Sequence, residues 1–598
     1  MKTESRRYPT KAAWTVRCRG RLKNLIFGNR IMETFPQKNK QQKAQYHAVF
    51  FASNRNFMRM RKTIFLLVFG CSLSGLSTAQ PLSGVYPKES LFLSTDRNLY
   101  CSGERIWFSL FRTQGISTIA YAELFDHRAN HCVKITLNIE NQHYTGSLEI
   151  PDHFPTGHYT FRAYTYYQQN FSATEFINIP VTIIHAGAPE FSDTIQTNHP
   201  ERKEPKKPPV AKIIMQKKHY SSRERVEVTL DPFPSTTDTL RFATLSVTMR
   251  GTRYNPINST TPYSITDTSL KLPEIKGPVL HGYLSGTVTG EQTVLLAKPG
   301  NNPDLRIATT RNHRFCIPFL PFSEEKTLFM SLADKNTEDI QIKIEQNYCP
   351  HYPEIVAKSP PDDTLVLRLI RNKQIAQHFT PKSLSMRQRN EKIRGLLGVA
   401  PIKVALRDHI ELASLQEVLF EIVPYVKIKQ TKGRENISVL DDRSGIVNDH
   451  PIVFLDQIPV RDIQQLFSIH PGKIDSIFVI NHPYALGAHS IDGFVFIQSN
   501  TENFCGYEFS EPDVFFSLSG FHPTTKPIDK YYFDAASRRS PHPDFRTTLY
   551  WNPEIRKPED QQSFTFFTSD AKGDYEVVFQ YITWGGNSGM LTEILTVD

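Results

Sequence analysis

The sequence predicts a mainly β, multidomain chain: tandem β-sandwiches, then a small α+β domain and a β-rich C-terminal segment. Three observations carry this. From residue 89 to 186, short alternating segments are punctuated by turn residues at intervals of about 8–12, the pattern of a sandwich. A stretch at 99–108 recurs at 219–228, each copy placing a Tyr four residues before Glu-Arg and an alternating strand after it. Residues 450–498 read as strand, short helix, strand, Gly-bearing turn and strand. A length of 598 residues suits about four domains.

The charge is unevenly placed. Residues 1–62 hold sixteen Lys and Arg against Glu4 and Glu33, a balance of +14, which leaves 10 − 14 = −4 for the rest. A basic nucleic-acid footprint is therefore missing from the body. Met58-Arg-Met-Arg-Lys62, the apolar run 63–70 and the small residues Ser77, Thr78 and Ala79 make residues 58–79 a secretory signal peptide. Residues 1–57, rich in Lys, Arg and Gln, are expected to be an over-extended start or a disordered basic leader. Val68-Phe69-Gly70-Cys71 is a loose lipobox that makes Cys71 a candidate lipidation site, ranked behind cleavage after Ala79. Past the signal no apolar run reaches about 18 residues. Cys101, Cys132, Cys316, Cys349 and Cys505 include no C-x-x-C pair, which argues against structural zinc. An exported compartment permits disulfides, but buried or unpaired thiols are the simpler expectation.

The first sandwich spans 89–190, with alternation at 121–125, 134–139, 146–150 and 158–164 and turns at Pro151, Pro155 and Gly157. A charged, Pro-rich linker follows at 191–211, then part of a second sandwich at 212–272. Residues 273–349 form a third β segment. The bridge 350–405 carries an expected strand at 365–370 and a helix near 383–395. In 406–500, Ser414 and Glu417 make a capping box; Leu415, Val418, Leu419 and Ile422 form an apolar stripe, and Pro424 stops the helix. Residues 501–598 read as a small closing β-domain. In it, 563–567 and 575–579 are expected to form a hairpin, and 585–589 a turn between the last two strands.

Several of these residues resemble known families. Asp96, Arg97, Tyr100, Gly103, Glu104, Ile106 and Phe108, with Gly157, Tyr159 and Arg162 to Thr165, resemble the macroglobulin-like sandwiches of bacterial envelope proteins, an immunoglobulin-like fold. The second copy has Arg223 where the first has Gly103. Residues 273–349 are faintly similar to carboxypeptidase-regulatory-like sandwiches. Asp456, Ile477, Val479, Gly487 and Gly493 occupy motif positions that resemble the plug domain of TonB-dependent outer-membrane receptors. Transmembrane strands need about 9–11 residues and such barrels about 22 strands. The 598 − 498 = 100 residues after the motif leave no room for one. The expectation is a plug-like module without its pore. The runs 414–424 and 546–553 resemble elements that accompany such barrel-less proteins. The resemblance implies a periplasmic or outer-membrane-associated protein of a two-membrane bacterium. Its partners would be other envelope proteins, an outer-membrane barrel among the candidates, with membrane association peripheral or by a lipid anchor at most.

Reactive constellations are missing from the sequence. It has no H-E-x-x-H and no G-x-S-x-G; Gly585-Gly-Asn-Ser-Gly589 lacks the Lys-Ser/Thr of a phosphate cradle. Glu345-Gln346-Asn-Tyr-Cys349 has the residue types of a macroglobulin thioester in the wrong order. His450, His470, His482 and His489 fall on strand ends and loops, so neither metal nor cofactor is expected. Asp456 reads as a turn residue satisfying backbone amides, and Gln457 implies a turn without positive φ. Tyr164, Tyr166 and Tyr167 read mostly as core, with a partner- or glycan-binding rim as the alternative. The functional expectation is a non-catalytic envelope protein acting through protein–protein contacts. A peptidase-associated accessory module or a non-covalent protease inhibitor are its alternatives.

Overall fold

A computed structural model describes residues 88–598, except 127, 172–175, 192–210, 233–238, 254–270, 299–303, 320–321, 324, 334–338, 353–360, 380–400, 410, 432, 487–488, 502, 528 and 556–559. The expected leader, the expected signal peptide with Cys71, most of the expected linker, the helix expected near 383–395 and Gly487 lie outside the described residues.

The first sandwich has eight strands: β1 (Ser90–Thr95), β2 (Leu99–Cys101), β3 (Arg105–Gln114), β4 (Ile119–Asp126), β5 (Cys132–Asn138), β6 (His143–Glu149), β7 (Gly157–Tyr164) and β8 (Ile177–Ile184). They form a three-stranded sheet, β1-β3-β6, facing a five-stranded one, β2-β8-β7-β4-β5. Period-2 alternation turns Ile106, Phe108 and Leu110 of β3 into the core, where Phe108 stacks on Tyr144 and meets Phe161 edge-on.

The second sandwich opens with β9 (Ala211–Met215), β10 (His219–Tyr220), β11 (Arg225–Pro232) and β12 (Leu240–Met249). There the chain departs into a third sandwich: β13 (Val279–Gly286), β14 (Thr293–Lys298), β15 (Asp304–Thr309), β16 (Arg314–Pro318), β17 (Lys326–Leu332) and β18 (Ile340–Glu345). Helix α1 (Asp363–Phe379) follows, where a strand was expected at 365–370. Val366, Leu369 and Ile370 are spaced i, i+3, i+4, and that helical stripe packs into the core of the second sandwich.

An α+β module comes next: β19 (Ile402–Ala405), α2 (Leu415–Glu417, extended by one π turn), β20 (Val426–Thr431), β21 (Arg434–Leu440), β22 (Val447–Asn448), β23 (Ile452–Leu455), β24 (Ile458–Pro459), α3 (Ile463–Phe467), β25 (Ile474–Ile480), β26 (Tyr484–Leu486), β27 (His489–Ile491) and β28 (Phe494–Ser499). Ser414 Oγ accepts the Glu417 N–H, while the Glu417 carboxylate takes that of Ala413. Its main sheet has the order β19-β25-β28-β23-β24, with β23 parallel to β28 and β25 antiparallel to it.

The remaining strands correct the expected closing domain. β29 (Val514–Leu518) pairs with β17, completing the four-stranded sheet of the third sandwich. After the short helix α4 (Ala535–Arg538), β30 (Thr548–Asn552), β31 (Gln562–Phe567), β32 (Gly573–Thr583) and β33 (Ser588–Val597) complete the second. The sheets there are β31-β11-β9 and β10-β33-β32-β12-β30. Strand for strand this is the first sandwich again, with even the parallel β2–β8 pair repeated as β10–β33. The expected hairpin does not form: β31 and β32 enter opposite sheets, and the hairpin is β32–β33, with its turn at 584–587, while Ser588 and Gly589 of the expected 585–589 turn already belong to β33. The chain is thus nested, the α+β module inside the third sandwich and both inside the second. None of the five described cysteines forms a disulfide.

Nesting makes a sharp prediction. Deleting residues 548–598 should make 211–249 susceptible to limited proteolysis, because half of that sandwich's strands are gone. Continued protection of 211–249 would contradict the topology.

Candidate functional site

The most distinctive motif residues meet at joints between sandwiches. Asp96, fully buried, accepts from Tyr100 Oη (2.8 Å), Trp107 N (3.2 Å) and, from β30, Thr548 Oγ1 (2.6 Å). Arg97 lies over the Tyr100 ring and pairs with Glu104 at 3.1 Å. Burial alone would lower the Arg97 pKa, but Glu104 and Asp96 outweigh it. Arg253, just past β12, donates to the carbonyls of Thr95 and Asp96. The motif therefore welds the first sandwich to the second.

Its repeat keeps the same turn. Glu104 Oε2 accepts the Cys101 N–H at 2.6 Å, and Glu224 Oε2 that of Ser221 at 2.7 Å. Gly103 has φ +78°; Arg223 in its place adopts φ +57°, a left-handed conformation that costs a side-chain-bearing residue free energy. The Arg223 guanidinium offsets this by gripping Asp570 (2.8 and 2.6 Å) and donating to the carbonyls of Arg538, Ser540 and His542. It thus ties down the segment that follows α4.

Arg162 makes the second clamp. Its Nε lies 2.6 Å from Glu123 Oε2, both side chains fully buried. Its Nη1 and Nη2 donate to the carbonyls of His351 and Cys349 at 2.6 and 2.9 Å. Tyr164 Oη donates to Glu123 and accepts the Cys349 N–H. Tyr164, Tyr166 and Tyr167 are all buried, so the aromatic-rim alternative is excluded: Tyr164 stacks on Phe176 and Tyr166 on His281.

Sequence reasoning missed a third joint. Glu274, buried where the first and third sandwiches meet, accepts from Tyr121 Oη at 2.8 Å and Val279 N at 3.1 Å. Burial pushes its carboxyl up to about 7 against those hydrogen bonds, and Glu89 adds to the rise. Nearby His281 is lowered to about 4 by burial, then by Arg314 and Lys271. No signal in 271–279 distinguishes this Glu from a surface one.

In the α+β module, Asp456 and Gln457 form the two-residue β23–β24 turn with φ +45° and +70°. Gln457 thus occupies a positive-φ position after all, since a two-residue hairpin turn favours that geometry. The buried Asp456 carboxylate accepts from Ser499 N, Ser499 Oγ and Phe504 N at 2.7–2.8 Å, so it fastens the end of β28 rather than its own turn. Ile477 and Val479 are fully buried. Gly493 has φ +133°, and a Cβ there would lie 2.7 Å from the Ile480 carbonyl oxygen. The sheet is covered on both faces. Val453, Leu455, Ile477, Val479, Val495 and Ile497 face the helices; Phe454, Phe494 and Phe496 pack on Leu295, Leu305 and Phe329 of the third sandwich.

Of the histidines weighed for metal, His482 approaches Asp441 and Asp442, the group of possible metal donors found among the described residues. Asp441 is committed to its own turn through Arg443 N and Ser444 Oγ, and these hydrogen bonds, Ser444 first, hold its carboxyl low. His470 Nδ1 instead accepts the Gly472 N–H. No helix among the described residues is long and apolar enough to cross a membrane.

No family model and no curated protein matches the chain. Solved structures give distant partial likenesses. A mutant alpha-2-macroglobulin from Salmonella is 9% identical with a TM-score of 0.19, covering 88% of this chain and 41% of that one. A trypsin-activated alpha-2-macroglobulin from Escherichia coli gives 8% and 0.20, covering 85% and 41%. A membrane-anchored protein from Corynebacterium diphtheriae gives 10% and 0.11, covering 46% and 60%. This chain spans well under half of the macroglobulins, and TM-scores this low do not establish a common arrangement.

Two predictions follow from the clamps. Arg162→Met strands Glu123 in the interior and should cost about 3–5 kcal/mol in chemical denaturation, with Glu123→Gln in the same chain recovering part of it. Glu274 holds its proton in the folded protein at a pH where the unfolded chain has released it. Its joint is therefore most stable below the unfolded value of 4.5 and weakens as the pH rises through about 7. Glu274→Gln should abolish that loss, a difference on the order of 3 kcal/mol between acid and mildly alkaline midpoints. Parallel pH profiles for variant and parent would refute it.

Proposed function

We propose that this is an exported, non-catalytic binding protein of a bacterial envelope, built as a rigid scaffold that presents loops and strand edges to a protein partner. One observation supports it above the others. Residues with strong sequence signatures, Asp96, Arg97, Arg162 (with its partner Glu123) and Asp456, are spent on buried bonds that fix segments and sandwiches to one another. Perturbed carboxyls such as Glu274 serve joints in the same way. The signal-like residues 58–79 support export, and the plug-like motif supports the envelope.

The α+β module would not dock through its sheet, because both faces are already covered. Its exposed apolar groups, Phe420 at 56% and Ile446 at 60%, lie instead on the α2 turn and the loop after β21. Crosslinking the tagged full chain in intact envelopes, with mass spectrometry of the adducts, tests the proposal. The expected result is one dominant envelope protein whose recovery falls when Phe420→Ser and Ile446→Ser are combined. Hydrolase activity in the purified chain, or recovery of no partner, would overturn it.

A further inference from the structure

The two sandwiches share one topology, so each is a control for the other, and they differ at one edge. In an antiparallel strand the N–H and C=O of a residue point the same way and alternate along the chain. In β8 the even-numbered residues point away from β7: Thr182 N–H reaches Asn98 O, and Ile184 O accepts from Ser102. In β33 the equivalent bond is Thr596 N–H to Lys218 O, so Met590, Thr592 and Ile594 point away from β32. β10 pairs only with Thr596 and Val597. Upstream of them no strand among the described residues pairs with this edge of β33.

The first sandwich guards this edge twice. Pro180, equivalent to Ile594, has no N–H to offer, and Asn98 Nδ2 caps the Pro180 carbonyl at 3.0 Å. Both devices are missing from the second copy, where Ile594 has its N–H and Lys218 replaces Asn98. Natural edges are usually blunted in such ways. The stretch 588–595 instead holds no Pro and no Lys, and it pairs with β32 in unbroken register. Its one charge is Glu593, half-buried on the inner face between Leu591 and Leu595, with no ion-pair partner among the described residues. An inner-face charge rejects uncharged strands and favours one that brings Lys or Arg opposite it.

We propose that the open edge of β33, from Met590 to Leu595, binds a short extended segment of a partner protein carrying a basic residue across from Glu593. A second copy does not fit as the occupant. Antiparallel β33–β33 pairing would drive the 584–587 turn of one copy into the place where His219 and Tyr220 of the other already pair with β33. The segment adds its main chain to the five-stranded sheet, and the Glu593 pairing sets its register. This surface rests on the binding-protein function proposed above and names where binding occurs.

The test uses the full chain and a blocked synthetic heptapeptide of alternating Val and Thr with a central Lys, followed by fluorescence anisotropy. Ile594→Pro, which copies the first sandwich, should weaken binding about tenfold by removing one edge N–H donor. Glu593→Lys should weaken it about threefold and should favour the central-Glu version of the peptide by a similar factor. That swap stays informative even if the proline variant folds poorly. No anisotropy change up to about 1 mM peptide, or equal affinities for the two peptides in parent and Glu593→Lys, would overturn the proposal. So would sedimentation showing a dimer that Ile594→Pro dissociates, because the occupant would then be a second copy. If the crosslinked envelope partner survives Ile594→Pro undiminished, this edge is refuted and the binding function stands; if no partner is recovered at all, the function fails too.

Discussion

Everything in the second half of the molecule hangs on the pairing of β12 with β32. It joins residues such as Arg250 and Asp574, 324 positions apart, where the equivalent ladder of the first sandwich joins Glu123 and Arg162 across 39. If the intervening chain were flexible, that longer closure would cost only about 2 kcal/mol more, because the entropy grows with the logarithm of loop length. Folding the insertion shortens the effective loop and lowers even this. A core of Leu245, Val247, Val577 and Phe579, each side chain contributing about 1.5–3 kcal/mol on burial, outweighs it readily. Hence a sandwich can host two further domains between its fourth and fifth strands and remain the same sandwich.

The strands themselves were legible, since alternation reports which residues face a core. So was the kinship of the first two sandwiches, through Tyr100 with Glu104 and Tyr220 with Glu224. Pairing was not legible. Alternation in 563–567 and 575–579 says nothing about which strand each will join, and proximity suggested a hairpin that the split topology forbids. The helix at Asp363–Phe379 was misjudged because Leu365-Val-Leu-Arg-Leu-Ile370 looks like a strand when only its apolar content is weighed. The spacing of Val366, Leu369 and Ile370 was the available signal.

The joints show a different limit. Arg162 was singled out by its motif, but its partners include the main-chain carbonyls of Cys349 and His351, which have no sequence signature at all. Glu274 was invisible because its character comes from burial against Tyr121. Arg223 is the instructive departure. The sequence marks it as a lost glycine, and the structure uses the same left-handed turn while turning the side chain into an anchor for the segment after α4.

Nesting also sets an order of assembly. Synthesis runs from the N-terminus, so the first sandwich has all eight strands early and can fold while the rest is being made. The second begins next but finishes last of the three sandwiches, since β33 follows every other described strand. In between, β12 waits with Val247 and Leu245 uncovered while the α+β module closes, then the third sandwich around β29. The domains are completed from the inside outward, the reverse of the order in which they were begun. The interval during which β9 to β12 stand unpaired is the time of greatest exposure to misassembly.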